Sequence, residues 1–595
     1  MNETDIIHKI NEFYKEGISN NAKWQKRAHR AYEFYKGIQW ERGDLQKLEV
    51  EGRPALTINQ ILPIINLISG FQRQNRQQVK VYPRKGGNNN SAEILTALCK
   101  HAQDTTNSDF EQSMIFLDGI ISGKGWLELG ISYQNDPMNG EITIQRLSPF
   151  EIIEDTTKEY DLNKTAQYII RTYWWNKEAI KLSYPKKEKD IALGLAMVEG
   201  AEGSPDVITT ETNTYQDEGK TETIPELKKY KYKIKECYWK SYERRAFLIN
   251  TLNLEMKMIH KTKEKLVREM MQTKTDTFDP ANYTIKDIIV PILHQTISVG
   301  NLILENNEDP FNGVMSFPFF RFCPYWVDGY IFGMVENLED QQKEINKRTS
   351  QMLHHLNQSA NSGWLGPEGW EVESKEDIEQ FGSKAGINIH YRENKHPEKI
   401  TPAPLSQGHL LLSQIAADNL KTISGANPNL LGQTMTKQES GIAIKERKQQ
   451  GIITQEIVFD NFNYTLQLFN TALVDIIRQT EVYSDEEIAA IVEDANLEDK
   501  INLENIRTFR LGKYGIKISQ NPNLPSIRAE NFNSILEAMK AGLPIPPEEV
   551  ISLSDLPNKD KIIAGILEQK QQAMQMQSQI QAGAVPRQPI PQGTV

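Results

Sequence analysis

The sequence of 595 residues lacks the features of secreted, membrane and metal-binding proteins. Its three cysteines, Cys99, Cys237 and Cys323, stand far apart without CxxC spacing, which argues against a disulfide framework or a zinc site. No apolar run approaches the roughly 18 residues of a membrane span. The N-terminus also lacks the basic start and apolar core of a signal peptide. We therefore expect a chain that folds in a reducing cytoplasm and contacts no membrane.

Excess positive charge is missing as well. Asp and Glu number 79 against 68 Lys and Arg, so the formal net charge is −11. Proteins that coat DNA are usually basic, because each neutralised phosphate adds affinity through counterion release. The balance argues against a DNA-coating protein and permits one that lets DNA pass without gripping it. Hydrophobic residues make up 38%, which favours additional burial against neighbouring copies.

Motifs for catalysis are not found. GIISGKGW, residues 119–126, has three residues between its first two glycines where a P-loop has four, and Gly125 replaces the hydroxyl residue that would hold magnesium. His354 and His355 are neighbours on a predicted helix, so they point in different directions and do not chelate one ion. The GxSxG motif of serine hydrolases is absent. No pair of Asp or Glu residues is set with a histidine among apolar residues, which is the pattern that would suggest acid–base catalysis. We predict no enzyme, no catalytic residue, no cofactor and no metal.

Apolar periodicity predicts an α+β chain that is predominantly helical. Residues 22–35 and 58–71 each repeat apolar side chains at spacings of three and four, and Pro63 puts the second helix start at 59–62. Further helices are predicted at 92–122 and 254–272. Strands are predicted at 125–133, 140–149, 168–174 and 287–305, with 228–248 as a half-buried strand pair.

Residues 333–479 follow a distinct order. The predicted elements are a helix at 333–356, a β-rich acidic excursion at 363–391, a helix at 408–423, a loop at 424–441 and a long helix at 442–479. The C-terminal tail is of low complexity and is expected to be disordered.

Three stretches together resemble the portal proteins, or head–tail connectors, of short-tailed double-stranded-DNA bacteriophages. They are EGRPALTINQILPIINLISGFQRQNR from residue 51, YIFGMVENLEDQQKEINKRTSQML at 330–353, and SGANPNLLGQTMTKQESGIAIKERKQQGIITQEIVFDNF at 424–462. The order and separation of these stretches carry the resemblance, which extends over residues 30–560. Because only about 115 residues follow Thr480, we expect the enlarged C-terminal barrel of some family members to be absent.

The resemblance implies the phage portal fold, in which wing, stem, clip and crown form a ring oligomer, usually of about twelve copies. Its implied divisions are the wing at 1–332, completed by the long wing helix at 441–480, the stem helices at 333–358 and 408–424, the clip at 359–407, the tunnel loop at 425–440, and the crown with the C-terminal tail at 481–595. The location it implies is the portal vertex of the virion capsid, after assembly in the cytoplasm of the host bacterium.

The partners implied are further copies of the chain, double-stranded DNA without sequence preference, the large terminase subunit, head–tail adaptor and tail proteins, and the major capsid and scaffolding proteins. Two rival readings stay open. One is a terminase-like packaging ATPase and nuclease, against which the missing P-loop argues. The other is a tail or collar adaptor, a class whose members are generally smaller.

Candidate site residues fall into four groups. The tunnel loop would contact DNA through Asn427, Asn429, Gln433, Thr434, Thr436, Lys437 and Gln438, unless it is a surface loop between helices. The stem would line the channel with Glu336, Glu339, Lys343, Lys347 and Arg348, unless these form an ordinary solvated helix face. The clip would dock partners through Glu368, Glu371, Glu373, Glu376, Asp377 and Glu379. Arg73 and Arg76 either complement a helix C-terminus or face a neighbouring subunit or the capsid.

Overall fold

The computed structural model describes residues 2–84, 89–134, 136–199, 206–210, 229–251, 256–259, 261–271, 282–311, 313–360, 364–370, 372, 390–400, 407–425, 455–480, 482–494 and 514–520. The chain divides into two compact units. The larger comprises Met1–Gly70 and Val79–Lys517, and the smaller comprises Phe71–Gln78 and Ile518–Val595.

Helices and strands are both abundant, so the predicted α+β class is confirmed. The helices are α1 (Glu3–Lys36), α2 (Arg42–Val50), α3 (Ile61–Gln74), α4 (Asn89–Thr105), α5 (Ser108–Ser122), α6 (Leu162–Thr165), α7 (Lys177–Ser183), α8 (Glu188–Glu199), α9 (Lys261–Met270), α10 (Met334–Ala360), α11 (Gln407–Ser424), α12 (Glu456–Gln479) and α13 (Asp485–Asp494).

The strands are mostly antiparallel partners in two sheets. They are β1 (Gln77–Pro83), β2 (Gly125–Ser132), β3 (Glu141–Leu147), β4 (Ile152–Glu154), β5 (Tyr168–Asn176), β6 (Val207–Thr210), β7 (Lys229–Asn250), β8 (Met256–Met258), β9 (Tyr283–Val299), β10 (Leu302–Glu308), β11 (Phe319–Phe322), β12 (Tyr325–Val327), β13 (Tyr330–Phe332), β14 (Trp364–Leu365), β15 (Glu398–Lys399) and β16 (Tyr514–Gln520). The large sheet has the order β10-β9-β7-β5-β4, with β6 and β8 also paired to β7, and the small sheet has the order β11-β2-β3.

The first helix shows why periodicity predicts the helices well. In α1 the buried side chains recur every three or four residues, so one stripe of the helix faces the core. Its N-terminal part packs on the large sheet, where Ile6, Ile10 and Tyr14 join Tyr168 and Trp239. Gly37 ends the helix in the left-handed conformation that glycine adopts without strain. The helices predicted at 22–35, 58–71, 333–356 and 408–423 are confirmed, and so are the strands at 125–133, 140–149 and 168–174.

Three sequence predictions are wrong in detail. The helix predicted at 92–122 is broken between α4 and α5, where Asn107 takes a φ of 51°, a conformation that asparagine tolerates. The helix predicted at 254–272 is shorter, because β8 pairs with β7 before α9 begins. The strand pair predicted at 228–248 is the single strand β7, whose partner β9 runs antiparallel from Ile234↔Val299 to Asn250↔Tyr283.

The long helix α12 closes one side of the small sheet through an aromatic cluster. The Phe116 ring of α5 lies 5.4 Å from Phe322 of β11 and 5.0 Å from Phe462 of α12, measured between centroids. Phe459 joins them at 5.5 Å from Phe116. These rings hold α5, β11 and α12 together by apolar burial and edge-to-face contact. Residues 442–454 of the predicted long helix lie outside the described residues.

Candidate functional site

The start of α10 is fixed by direct contact between backbones. A methyl group on Gly333 would lie 2.4 Å from the carbonyl oxygen of Ile121, and one on Gly125 would lie 2.0 Å from that of Ile115. Gly123 has a φ of +89°, and a methyl group there would lie 2.8 Å from the Phe332 carbonyl carbon and 3.0 Å from the Gly333 amide nitrogen. No side chain fits between these segments, so each crossing requires glycine. Gly123 therefore serves chain packing beside the start of α10, and Gly125 serves the packing of β2 on α5.

A buried cluster of charges lies beside this crossing. The Lys124 Nζ lies 2.6 Å from Oε1 of Glu154, donates to Oδ1 of Asn21 at 2.8 Å and stands 4.1 Å above the Trp24 ring. The Arg321 Nη1 donates to the other carboxylate oxygen of Glu154 at 2.7 Å. Burial acts to raise the pKa of Glu154, but the charges of Arg321 and Lys124 hold that pKa below its ordinary value of 4.5. The Glu154 carboxylate of β4 thus binds Arg321 of β11 and Lys124, and Lys124 in turn contacts α1.

From this cluster, polar contacts continue to α12. The Arg321 Nη2 donates to the Tyr160 carbonyl oxygen at 3.2 Å, and the Tyr160 hydroxyl lies 2.9 Å from the Thr465 hydroxyl. Asn461 also donates to the Pro324 carbonyl oxygen at 3.0 Å. The segments that lead into α10 are therefore bound to α12 by directional bonds as well as by the aromatic cluster.

Two of the predicted channel residues face α1. The Arg27 Nη1 lies 2.7 and 3.0 Å from the carboxylate oxygens of Glu336, and the Arg30 Nε lies 2.8 Å from Oε1 of Glu339. Both carboxylates are about three-quarters buried, with 27% and 21% of the side chain exposed. The sequence reasoning missed these arginines. The signal for them was the matching spacing of three residues in each pair, which puts both charges on one face of each helix.

The other predicted stem residues also have ion-pair partners within the chain. The Lys343 Nζ lies 3.5 Å from Glu339, and the Lys347 Nζ lies 4.0 Å from Asp44 of α2. The Arg348 Nε lies 2.6 Å from Glu344, one turn earlier on α10. The charged surface of α10 is therefore largely a set of ion pairs.

The two predicted stem helices pack side by side. The rings of His355, near the end of α10, and His409, near the start of α11, have centroids 6.1 Å apart. This contact joins the C-terminal end of one helix to the N-terminal end of the other, so the helices run antiparallel. His354 does not share it. The pair is therefore a helical hairpin extending from Gly333.

The C-terminal end of α11 is bonded to the start of α12. The Gln455 Nε2 donates to the Ser424 carbonyl oxygen at 2.6 Å, and the Gln455 side chain is buried. The backbone carbonyl of Gln455 accepts from the amides of Val458 and Phe459, which starts α12. Residues 426–454 lie outside the described residues. All seven predicted tunnel-loop residues, Asn427, Asn429, Gln433, Thr434, Thr436, Lys437 and Gln438, fall in that range.

The predicted clip and interface residues are only partly described. A short ribbon pairs Trp364 with Lys399 and Leu365 with Glu398, and Glu368 lies in the turn that follows β14. Arg73 lies in the last turn of α3, as predicted, but the same prediction is wrong for Arg76, which lies beyond the end of the helix at Gln74 and just before β1. The remaining predicted clip residues, Glu371, Glu373, Glu376, Asp377 and Glu379, lie outside the described residues.

The three cysteines of the chain are buried. Cys99, Cys237 and Cys323 are free thiols without solvent access, and burial raises the pKa of Cys99 to about 12 and that of Cys323 to about 11. Thiols with such pKa values stay protonated and unreactive at neutral pH. Within the described ranges, no helix is both long and apolar enough to cross a bilayer.

Comparison with known proteins defines the class of the chain. A family model described as "Phage P22-like portal protein" matches residues 11–593, nearly the whole sequence. The class is therefore that of the phage portal proteins, or head–tail connectors. The chain belongs to the phage P22-like portal protein family, which confirms the resemblance seen in the sequence. This family is structural, and membership implies an oligomeric ring associated with the virion capsid.

Other comparisons add little. No curated protein matches the chain. A solved structure titled "Neck of empty GTA particle computed with C6 symmetry" is similar at 10% sequence identity over 53% of this chain and 75% of that chain. Its TM-score of 0.24 is too low for the likeness to carry an argument.

Proposed function

We propose that copies of this chain close into a ring at one vertex of the capsid and form the conduit for double-stranded DNA during packaging and ejection. The ring also nucleates capsid assembly and docks the packaging motor and, later, the tail adaptors. The protein performs no catalysis itself. The observation that carries the proposal is the family match over residues 11–593.

The hairpin of α10 and α11 is the stem of each subunit in this proposal. The hairpin begins at Gly333, which packs against Gly123, and it ends where the Gln455 side chain binds the Ser424 carbonyl oxygen. Residues 1–332 and 441–480 form the wing, 359–407 the clip, 425–440 the tunnel loop, and 481–595 the crown. The bond between Gln455 and Ser424 supports a loop between the stem and the long wing helix, because it holds the residues on either side of 425–454 together.

The composition of the tunnel loop suits sliding DNA. Residues 425–440 are rich in Asn, Gln and Thr, and their charged members, Lys437 and Glu439, cancel. Neutral polar side chains contact phosphates without sequence preference. A lysine or arginine in this loop would be repeated on every subunit of the ring. Each phosphate that these side chains neutralised would strengthen DNA binding and so slow the release of the duplex.

The stem follows the same principle. Glu336 and Glu339 are neutralised by Arg27 and Arg30, and the cations of α10 lie near carboxylates of their own chain. Ion pairs leave little free positive charge for phosphates. The stem ion pairs therefore support a wall that guides DNA without retaining it.

The acidic segment at 368–379 is the proposed docking surface for the large terminase subunit and the adaptors. Charge complementarity sets specificity and encounter rate more than affinity, so basic surfaces are expected on these partners. Arg73 and Arg76 are proposed to contact a neighbouring subunit or the capsid shell.

A lysine pair in the loop tests the conduit. In the variant Asn429→Lys, Gln433→Lys, each subunit gains two cations, and we expect several-fold slower DNA translocation with ring assembly unchanged, because counterion release strengthens retention. The slowing should shrink as salt rises. Packaging rates in an assay with purified motor and procapsids measure this.

The matched control is Asn429→Gln, Gln433→Asn, which exchanges the same side chains without adding charge and should package at the normal rate. An unchanged rate for the lysine variant would remove these residues from the channel.

A further inference from the structure

A short extended segment lies along α10 without joining any sheet. Residues 53–60, which we call the strap, connect α2 to α3 and have no helical or strand assignment. Three side chains of α10 accept hydrogen bonds from alternate strap amides. Leu56 N donates to Ser350 Oγ at 2.9 Å, Ile58 N to Asn346 Oδ1 at 2.9 Å and Gln60 N to Gln342 Oε1 at 3.0 Å.

The spacings explain why three successive bonds form. Gln342, Asn346 and Ser350 follow one another at four residues, which rises about 6 Å along a helix axis. Two residues of extended chain advance about 6.6 Å. The two repeats agree closely over the two steps between the three bonds, so side chains from one face of the helix meet every second amide of the strap. We call these three residues the ladder.

The ladder is buried and its polar groups are paired. Gln342, Asn346 and Ser350 are 0%, 2% and 5% exposed. The Gln342 Nε2 also donates to the Ile58 carbonyl oxygen, and the Asn346 Nδ2 to the Gln39 Oε1, each at 2.6 Å. A buried amide that loses its partner is strongly unfavourable, so these bonds have to form together.

Only one register of strap against helix satisfies the ladder. Sliding the strap by one step toward the N-terminus of α10 would place Ser350 opposite Pro54, which has no amide hydrogen to donate, and Gln60 N opposite Leu338, a buried apolar residue with no acceptor. Sliding it the other way would place Gln342 opposite Leu62, whose amide already donates to Asn59 Oδ1 at the start of α3. A slide by one step in either direction therefore leaves polar groups of the ladder or the strap unpaired.

We propose that Gln342, Asn346 and Ser350 are positioning residues that lock α10 against sliding along its axis, by binding the strap backbone in a single register. The apolar residues of α10 cannot do this alone, because apolar burial is non-directional and tolerates small shifts. The hydrogen bonds are directional and fail within about an ångström of displacement.

The lock has a consequence that rests on the proposed function. If α10 is a stem helix of the conduit, load along the channel axis acts on it, and the strap transfers that load to α1 and α3. The strap segment and the α10 segment are two of the three stretches that resemble portal proteins, and the ladder is the contact that joins them.

Hydrogen exchange of the full-length protein, resolved to single amides by mass spectrometry, tests the lock. We expect an alternating pattern in which the amides of Leu56, Ile58 and Gln60 exchange at least about tenfold more slowly than those of Ala55 and Thr57. Ser350→Ala should accelerate the Leu56 amide by about tenfold, and Ser350→Thr, which keeps the hydroxyl, should restore slow exchange.

Gln351→Ala, on the exposed side of α10, is the matched control and should leave the strap unchanged. Uniform exchange over residues 55–60 would overturn the lock, and so would a Thr variant that behaves like the Ala variant. Because exchange is read on the purified chain, its outcome is independent of DNA packaging. A failure of the conduit proposal would appear in translocation assays instead.

Discussion

At the scale of single residues, the least replaceable positions are glycines that no periodicity marks. Gly123 and Gly333 lie more than 200 residues apart, yet a methyl group on Gly333 would lie 2.9 Å from the Gly123 amide nitrogen. The spacing of GIISGKGW excludes a P-loop but indicates no role for its glycines. Contacts between distant segments cannot be read from local spacing, because the fold alone brings them together.

We predict that Gly333→Ala destabilises the protein by about 2–4 kcal/mol, since the added methyl group would lie 2.4 Å from a backbone oxygen that cannot rotate away. Chemical denaturation of the two proteins measures the difference. Gly43→Ala is the control, because a methyl group there meets nothing within 4 Å and lies in a helix. Equal stability of Gly333→Ala and wild type would show that the backbones around Gly333 and Ile121 are not in close contact.

At the scale of elements, directional contacts decide how the helices and strands are joined. Periodicity predicts α1, α10 and α11 well, because each helix buries one stripe. It does not predict that the Glu154 carboxylate binds two cations or that Arg27 and Arg30 face α10. These pairs lie between residues far apart in sequence, and a charged residue in a single sequence looks the same whether it is solvated or buried.

Glu154 gives this scale its prediction. Its folded pKa lies below 4.5, so ionisation of the carboxyl stabilises the fold above that pH, and the contribution is lost as the pH falls through the folded pKa. Glu154→Gln leaves Lys124 and Arg321 buried without a counter-ion, and we expect a loss of about 3–5 kcal/mol at neutral pH.

Denaturation of wild type and Glu154→Gln from pH 7 down to pH 3 measures this effect, and the difference in stability should shrink below about pH 4.5. Asp328→Asn is the control, because the Asp328 side chain is 76% exposed in its pair with Lys158 and should contribute little at any pH. A constant difference across the titration would contradict the assigned ionisation.

At the scale of the whole molecule, the sequence predicts the family, the α+β class and the helices α10, α11 and α12 in their order along the chain. It misjudged the long strand β7, because the partner strand β9 begins more than thirty residues after β7 ends. The clip residues from Glu371 onward and the tunnel-loop residues stay predictions from composition. Ring closure also stays a prediction, since a single chain shows none of the contacts between subunits.

The central claim is that many copies close around an open channel whose wall is too weakly cationic to hold DNA. Cryo-electron microscopy of the purified full-length protein tests it most directly. We predict a closed ring of identical subunits with a continuous central channel, and residues 425–440 at its narrowest part. A monomer, or a ring whose centre is blocked or lined by an unbroken band of lysine and arginine, would contradict the account.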